Sequence, residues 1–294
     1  MENILEINNL RKSYKDVLIL DDVNFSLKPK EIVGLVGANG AGKTTLMKTI
    51  LGFIFKDSGE VKFLNDASYS NNYELMSKIG FLVDTRLYEN LTAKENIKLQ
   101  IFYRNLKNEK EAWDRANYLL ELVGLKDVEK KVSDYSFGMK QRLSLTLALL
   151  SDVKLLILDE PFVGLDPNGI NGVKKFIKEI VEKEEIALLI SSHQMNEIDE
   201  LCDRFLFLEN KKLRNHNLNK EKVYTIELSN EITSLEIQDQ NIVLQGNKIF
   251  IKDKKLLNKT FKLLSDKNID ITDISVESDS VNRLFDGVKN EKHS

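Results

Sequence analysis

The stretch of sequence that decides the fold is Gly37-Ala38-Asn39-Gly40-Ala41-Gly42-Lys43-Thr44-Thr45. An apolar run, Glu31–Val36, precedes it, and a helix-like run, Thr44–Leu51, follows it. Glycines let such a loop turn its backbone N–H groups toward one phosphate, and the helix adds the positive end of its dipole. In the pattern G-x-x-x-x-G-K-[ST] the lysine reaches the β- and γ-phosphates, and the hydroxyl that follows ligates Mg²⁺. The sequence therefore predicts a nucleotide site.

Composition limits the classes of protein that the chain can represent. Its 294 residues include 43 basic and 46 acidic side chains, and the net charge of −3 gives no reason to expect a nucleic-acid partner. The single cysteine, Cys202, excludes an internal disulfide and is expected to be a small buried apolar residue. No signal-peptide pattern is evident, and the longest apolar runs are too short to cross a bilayer. We therefore expect the chain to reach a membrane only through a partner.

Apolar periodicity predicts strands and then helices in the first half of the chain. Residues 4–7 and 17–27 are typical of short strands, and polar turns separate them. Residues 72–150 are helical in pattern. Within them, Thr92-Ala93-Lys94-Glu95 has the spacing of a capping box, which marks the start of a helix.

The second half of the chain predicts a parallel sheet followed by a separate module. The buried runs Leu155–Leu158 and Ala187–Ser191 lie on either side of a helix that begins at Asp166-Pro167, an order typical of βαβ units. Residues 209–222 are polar and predict a linker or a solvated face. A small α+β module follows, with elements predicted at Val223–Leu228, Asn241–Gln245, Lys248–Ile251, Leu256–Lys267, Ile269–Val276 and, as a terminal helix, Ser280–Val288.

Two carboxylates, Asp159 and Glu160, follow the buried run Leu155–Leu158. Ligands in open α/β sheets bind at the carboxyl ends of strands, which is also where a phosphate loop lies. Asp159 can hold Mg²⁺ directly or through a water, and Glu160 can act as general base toward the water that attacks the γ-phosphate. A solvated acidic turn is the alternative interpretation, and a neighbouring phosphate loop makes it less favoured.

Three further features are open to more than one interpretation from the residues alone. Ser136 and Gly138 precede the apolar helix Leu143–Leu150. They can form an anion site at the N-terminus of this helix, or they can be residues that merely favour the start of a helix. His193 ends a buried strand, where it suits contact with a γ-phosphate, although a structural histidine is the usual finding at an arbitrary position. Tyr14 can stack on adenine or can be an ordinary aromatic of a strand edge.

The ordered motifs GANGAGKTT, YSFGMKQRL, LLILDEP, GLDP and SSH resemble those of ATP-binding cassette (ABC) ATPases, the nucleotide-binding subunits of ABC transporters. The resemblance covers about residues 1–215 and implies an α/β fold. The expected parts are a P-loop, RecA-like core, an antiparallel β subdomain and a helical subdomain at about 72–150, with a small C-terminal α+β module at 222–294. In that family two cassettes associate head to tail around two ATP molecules. We therefore expect ATP and Mg²⁺ as cofactors and a homodimer as the assembly.

The resemblance also implies a role for individual residues. Lys43, Glu160 and His193 are the expected catalytic residues, and Asp166 is expected in a loop that crosses the dimer interface. Thr44 and Asp159 are the expected metal ligands, with Asp84 as a further candidate. The expected nucleotide-binding residues are Tyr14, Asn39, Gly40, Ala41, Gly42, Lys43, Thr44, Thr45 and, acting on the nucleotide of the other subunit, Ser136 and Gly138.

Two positions depart from the family pattern. Phe137 replaces a glycine between Ser136 and Gly138, so contact with a phosphate requires its side chain to turn away. Asp84 stands where the family has a glutamine that senses Mg²⁺ and the membrane subunit. With an acidic residue at this position, the sequence resembles the branch of the family that exports, or protects against, peptide antibiotics such as lantibiotics and bacitracin. A carboxylate can ligate Mg²⁺, but unlike an amide it donates no hydrogen bond.

Three functions are consistent with these motifs. The first is an ATPase subunit on the cytoplasmic face of the plasma membrane that drives a separate transmembrane permease and exports a peptide antibiotic or another amphiphile. The second is a soluble cassette that acts on ribosomes or nucleic acid, but such relatives usually carry two cassettes or a coiled-coil insertion, and this sequence shows neither. The third is an ATP sensor without hydrolysis, which the presence of Glu160 and His193 disfavours. We expect the first function and no nucleic-acid partner.

Overall fold

The computed structural model describes residues 2–84, 86–126, 128–193, 195–217, 222–230, 242–251, 254–267 and 269–278. Contacts between residues divide the chain into two compact units, Met1–Asn217 and Leu218–Ser294. The terminal helix predicted at Ser280–Val288 lies outside the described residues.

The first unit contains both strands and helices. Its strands are β1 (Leu5–Tyr14), β2 (Val17–Leu27), β3 (Ile32–Val36), β4 (Ser58–Phe63), β5 (Ile79–Leu82), β6 (Leu155–Leu158), β7 (Ala187–Ser192), β8 (Arg204–Glu209) and β9 (Lys212–Asn217). Its helices are α1 (Lys43–Ile50), α2 (Tyr73–Ser77), α3 (Ala93–Tyr103), α4 (Glu109–Leu122), α5 (Phe137–Ala148) and α6 (Pro167–Glu184).

The main sheet of the first unit has the strand order β5-β6-β7-β3-β8-β9. Strands β5, β6, β7, β3 and β8 are parallel to their neighbours, and β9 is antiparallel to β8. Every residue of β3, β6 and β7 is buried, as expected for strands of a parallel sheet covered on both faces. The carboxyl ends of these three strands therefore meet at one edge of the sheet, which confirms the predicted P-loop α/β core.

The structure differs from the sequence prediction at two places along the main sheet. Residues 212–217, predicted as part of a polar linker, form the edge strand β9, and Leu208 pairs with Leu213 in the register. An edge strand takes its stability from backbone pairing, so exposed polar side chains such as Lys212 and Arg214 give no periodic signal. The range 72–150 is predicted as helical, but Ile79–Leu82 within it form the strand β5. An apolar run this short does not distinguish a strand from part of a helix.

A second sheet of the first unit is antiparallel and has the order β2-β1-β4. The buried side chains of Leu5, Ile7 and Leu10 on β1 belong to one core that also includes Leu46 of α1 and Leu35 of β3. The same hydrophobic cluster therefore supports both the antiparallel strands and the helix that follows the phosphate loop.

Side-chain caps begin the four helices from α3 to α6. Thr92 and Glu95 form the predicted capping box of α3, and Asn108 caps α4. Ser136 caps α5 and Asp166 caps α6, with Pro167 at the first position of the helix. Within the described part of the chain, every helix is too short or too polar to cross a bilayer.

The second unit contains an antiparallel sheet and a helix. Its elements are β10 (Lys222–Leu228), β11 (Ile242–Gln245), β12 (Lys248–Ile251), α7 (Lys254–Asp266) and β13 (Ile271–Ser278), and the strand order is β11-β12-β10-β13. Gly246, at a φ of 61°, lies in the turn between β11 and β12, as the Gly246-Asn247 pair predicts. The buried core of the second unit comprises Ile226, Leu228, Ile249, Ile251 and Leu264.

Gly34 of β3 is closely surrounded by the side chains of neighbouring residues. A Cβ atom on Gly34 would lie 2.4 Å from ring carbons of Phe205 and 3.0 Å from the sulfur of Cys202. Cys202 is buried, which confirms the sequence prediction, and burial raises the pKa of its thiol well above its usual value. Gly172 of α6, in contrast, has open space around the position of a Cβ atom.

We expect Gly34→Ala to lower the free energy of unfolding by about 1–3 kcal/mol, because the added methyl group overpacks the space beside Phe205. Urea denaturation followed by circular dichroism measures this change. Gly172→Ala is the matched control, and it should leave the protein equally stable or raise its stability by about 0.5–1 kcal/mol, since alanine favours helix. Equal stability of the two variants would contradict the predicted packing.

Candidate nucleotide site

The loop between β3 and α1 has the conformation that the glycines allow. Gly40 and Gly42 have φ angles of 81° and 109°, which are rarely accessible to residues with a Cβ atom. Helix α1 begins immediately after this turn at Lys43, so its first N–H groups face the loop. The side chain of Lys43 is almost fully buried.

The ammonium group of Lys43 lies between the loop and a carboxylate. Its Nζ donates a hydrogen bond of 2.8 Å to the carbonyl oxygen of Gly37 and lies 3.6 Å from Oε1 of Glu160. These contacts hold one positive charge at the mouth of the loop, where a bound anion would meet it.

A chain of hydrogen bonds connects the ends of three neighbouring strands. The Oγ1 atom of Thr44 donates to Oδ2 of Asp159 over 2.7 Å, and the Oγ atom of Ser191 donates to Oδ1 over 2.5 Å. Ser191 Oγ also accepts a hydrogen bond of 2.9 Å from the backbone N–H of Glu160. Thr44 follows β3, Asp159 follows β6 and Ser191 lies in β7, so the order of the strands brings the groups together.

Glu160 occupies a strained backbone position beside His193. Its φ angle is 50°, in the left-handed region that costs a residue with a side chain about 1 kcal/mol or more. Its Oε2 atom lies 2.5 Å from Nδ1 of His193 and accepts a hydrogen bond of 3.3 Å from the backbone N–H of the same residue. The fixed backbone and these contacts aim the carboxylate toward the loop.

An open cavity of about 440 Å³ lies over the loop. Of the predicted site residues, it is lined by Asn39, Gly40, Gly42, Lys43, Thr44, Thr45, Asp159, Glu160 and His193. Ile19 and Val163 also line it, although sequence reasoning did not select them, because isolated apolar residues give no pattern that marks a site. Ser191 was not among the predicted site residues either. The only local feature that could have indicated its role is a hydroxyl at the end of a buried strand.

Other predicted residues do not line this cavity. Tyr14 is 46% exposed, and Nζ of Lys12 lies 5.3 Å from the centre of its ring. Ser136 is exposed at the start of α5, where its Oγ accepts a hydrogen bond of 3.3 Å from the N–H of Met139. The neighbouring Gly138 and the loop residue Ala41 also lie outside the lining.

Phe137 packs against the segment that follows Glu160. Ring carbons of Phe137 lie 3.0–3.3 Å from the position that a Cβ atom of Gly164 would occupy. The ring is 53% exposed, so one face covers the backbone at Gly164 and the rest meets solvent.

Asp84 pairs with a lysine of α1 rather than with the other acidic groups. Its carboxylate forms an ion pair with the ammonium group of Lys48. The hydrogen bond to Asp84 raises the pKa of Lys48 above its usual value, and the negative charge of Asp159 contributes in the same direction.

The oxygen atoms of Thr44 and Asp159 fit Mg²⁺, which prefers oxygen ligands and is commonly bound by one or two protein groups together with substrate phosphates. Among the described residues there is no cluster of three histidine, cysteine, aspartate or glutamate side chains that would form a metal cage. The site therefore suits a cation that arrives with a phosphate ligand.

Comparison with known proteins identifies the family. The sequence model of the family described as ABC transporter matches residues 20–163. ABC transporter ATP-binding protein YcbN of Bacillus subtilis is 33% identical over 97% of this chain and 90% of its own length. The chain belongs to the family of ABC transporter ATP-binding proteins. It is therefore an ATPase subunit of a transporter, as the ordered motifs predict.

Relatives with a named transport function are also similar. The bacitracin transport ATP-binding protein BcrA of Bacillus licheniformis is 32% identical over 97% of both chains. The lantibiotic transport ATP-binding protein SrtF of Streptococcus pyogenes is 37% identical over 71% of this chain and 89% of its own length.

Two solved structures of ABC cassettes share the fold. The cassette MJ0796, a dimer bound to ADP and phosphate, matches with a TM-score of 0.64 and 26% identity over 73% of this chain and 99% of MJ0796. The subunit cbiO1 of Clostridium perfringens, part of the complex cbiONQ, matches with a TM-score of 0.66 and 27% identity over 74% of this chain and 89% of cbiO1.

We expect Ser191→Ala to lower kcat for ATP hydrolysis about tenfold or more, because the Asp159 carboxylate and the backbone N–H of Glu160 both lose their hydrogen-bond partner. Steady-state phosphate release measures kcat, and binding of a fluorescent ATP analogue without divalent cation should change little. Ser77→Ala, which removes an exposed hydroxyl bonded to the carbonyl of Glu74, is the control. An unchanged kcat for Ser191→Ala would contradict the orienting role.

Proposed function

We propose that this chain drives export of a peptide antibiotic or a similar amphiphile through a separate membrane permease. The support for the substrate class is that relatives named for bacitracin and lantibiotic transport are 32% and 37% identical. The acidic residue Asp84 at the position that faces the membrane subunit in the family supports the same branch.

ATP hydrolysis, which would drive the export, is supported by one observation. A series of hydrogen bonds connects Thr44, Asp159, Ser191 and Glu160 beside Lys43. Lys43 is placed to neutralise charge on the β- and γ-phosphates, and backbone N–H groups of the loop add further donors. Glu160 accepts a proton from the attacking water as general base. The hydroxyl of Ser191 accepts a hydrogen bond from the backbone N–H of Glu160 and so helps to fix the backbone from which this carboxylate projects.

His193 is proposed to hold the γ-phosphate through its ring. Its Nδ1 atom contacts Glu160, and the residue lines the cavity over the phosphate loop. Tyr14 is proposed to stack on adenine. Its ring is half exposed, which leaves a face open to a base.

Thr44 and Asp159 are proposed to hold Mg²⁺, and their hydrogen bond in the structure brings the two ligand oxygens to the same point. When bound, Mg²⁺ supplies positive charge to the β- and γ-phosphates. The side chains of Thr44 and Asp159 orient the nucleotide through that contact, and Ser191 keeps Asp159 in place by its second oxygen.

The second wall of the ATP site is proposed to come from an identical copy. The start of α5 presents the exposed hydroxyl of Ser136 and the backbone N–H of Gly138, which together suit a phosphate oxygen. The dimeric form of the similar cassette MJ0796 supports this arrangement. In such a dimer Ser136 and Gly138 would contact the nucleotide that Lys43 of the other copy holds.

Each unit of the chain is proposed to have a separate task. Residues 1–215 would be the ABC ATP-binding domain, with a helical subdomain at about 72–150, and residues 222–294 an accessory domain. The ATPase would lie on the cytoplasmic face of the membrane, where ATP is available to a permease partner.

An exposed aromatic surface is proposed as the contact with the permease. We call Tyr88, Phe102 and Tyr103 the aromatic trio; their exposed fractions are 48%, 77% and 57%. The rings of Phe102 and Tyr103 are 5.9 Å apart, and the Tyr88 hydroxyl bonds Tyr103, which raises the pKa of Tyr88. Contiguous exposed apolar groups mark interaction surfaces, and the subunit cbiO1 is itself part of a larger complex.

We expect Glu160→Gln to bind ATP but to hydrolyse it at least about a hundredfold more slowly, because an amide accepts no proton. Size-exclusion chromatography with Mg²⁺ and ATP should show that this variant accumulates as a dimer. Glu121→Gln, which neutralises an exposed carboxylate paired with Lys126, is the matched control. Hydrolysis by Glu160→Gln at the rate of the control would contradict the role of Glu160 as base.

The same variant tests export in cells that lack the gene for this chain. Restoring the unsubstituted chain should restore growth in bacitracin or a lantibiotic, and Glu160→Gln should not. If neither chain changes resistance to any peptide antibiotic while the purified protein hydrolyses ATP, the proposed substrate class is wrong.

We expect Phe102→Ser to retain ATP hydrolysis by the isolated chain but to reduce its recovery with membranes that contain the permease. An exposed side chain contributes little to folding, so the loss would arise at the interface. Val17→Ser, which alters a side chain 60% exposed on β2, is the control. Equal membrane recovery of both variants would show that the aromatic trio is not the contact.

A further inference from the structure

The ion pair of Lys48 and Asp84 joins two functional parts of the first unit. Lys48 lies in α1, the helix that begins at Lys43 of the phosphate loop. Asp84 follows β5 at the sheet edge where the nucleotide cavity lies, and the chain continues from it toward Tyr88 of the aromatic trio. A change at this ion pair is therefore positioned to affect both the nucleotide and the permease surface.

The Asp84 carboxylate pairs with Lys48 and does not line the nucleotide cavity. Thr44 and Asp159 line the nucleotide cavity and bond to each other, whereas Asp84 is absent from the lining. The Asp84 carboxylate is instead occupied by Lys48, at a residue whose φ angle of 50° is in the left-handed region. The ion pair thus opposes the relaxation of a strained backbone position.

Lys48 is also close to one of the proposed metal ligands. It lies four residues after Thr44 in α1, so the two side chains share one face of the helix. A cation bound at Thr44 and Asp159 would therefore meet the ammonium of Lys48 as a competing positive charge. Both cations attract the same carboxylate of Asp84.

We propose that Lys48 is a positioning residue that withholds Asp84 from the metal, so that a divalent cation bound with nucleotide must compete with the ammonium group for this carboxylate. The inference rests on the proposed assignment of Mg²⁺ to Thr44 and Asp159.

Affinity for Mn²⁺, used as a spectroscopic substitute for Mg²⁺, tests the proposal without relying on hydrolysis. Mn²⁺ is titrated into the full chain mixed with a non-hydrolysable ATP analogue, with protein in excess, and free Mn²⁺ is followed by electron paramagnetic resonance. We expect Lys48→Met to tighten Mn²⁺ binding about two- to fivefold, the range for release of an exposed ion pair. Lys48→Arg keeps the pair and should bind Mn²⁺ as the unsubstituted chain does.

A double substitution separates the ion pair from general electrostatics. Removal of Lys48 also deletes a positive charge near Asp159, which would tighten cation binding by itself. In an Asp84→Ala background this general effect remains, but the competition for the carboxylate is gone. We therefore expect Lys48→Met to tighten binding clearly less in Asp84→Ala than in the chain that retains Asp84.

Matched controls make every outcome decisive. Lys62→Met removes another ion-paired lysine, bonded to Glu60 on β4, and should leave Mn²⁺ affinity unchanged. Lys48→Gln is a second neutral variant in case the methionine chain folds poorly by circular dichroism. Equal effects of Lys48→Met with and without Asp84, or no effect in either, overturn the proposal. Failure of the unsubstituted chain to bind the nucleotide with Mn²⁺ would instead overturn the proposed metal assignment.

Discussion

The two hydrogen bonds that converge on the Asp159 carboxylate connect the ends of three strands. Thr44 donates from the start of α1 after β3, and Ser191 donates from the end of β7. Because β3, β7 and β6 are parallel neighbours, all three groups leave the sheet at the same edge. A carboxylate with two fixed donors has one orientation, and such preorganisation lowers the cost of arranging charge around a transferring phosphoryl group.

Local strain and charge are concentrated at the same edge of the sheet. Glu160 adopts a positive φ angle, and the buried ammonium of Lys43 lies within 3.6 Å of its carboxylate. Two contacts offset part of the energetic cost of the positive φ angle. They are the hydrogen bond from the Glu160 N–H to Ser191 and the contact of the Glu160 carboxylate with His193. Strained residues persist when their surroundings over-determine them, and here the buried core beneath the sheet supplies that support.

The periphery of the site holds the two positions at which the sequence departs from the motif pattern, Asp84 and Phe137. Asp84 introduces a carboxylate, and Lys48 gives that carboxylate a partner on the phosphate-loop helix. Phe137 adds a ring that covers Gly164, in the segment after Glu160. Asp84 and Phe137 are both exposed in part, in contrast to the nearly buried Lys43 of the phosphate loop.

The sequence by itself determined the fold class, the phosphate loop and the buried strands β6 and β7, because glycine spacing and continuous apolar runs are local signals. It also selected Asp159, Glu160 and His193 by their positions after strands. The tertiary structure alone decided that Ser191 bonds both the Asp159 carboxylate and the Glu160 backbone, that Lys48 pairs with Asp84, and that β5 and β9 join the sheet. These features depend on contacts between residues distant in sequence, and no local periodicity encodes which strands become neighbours.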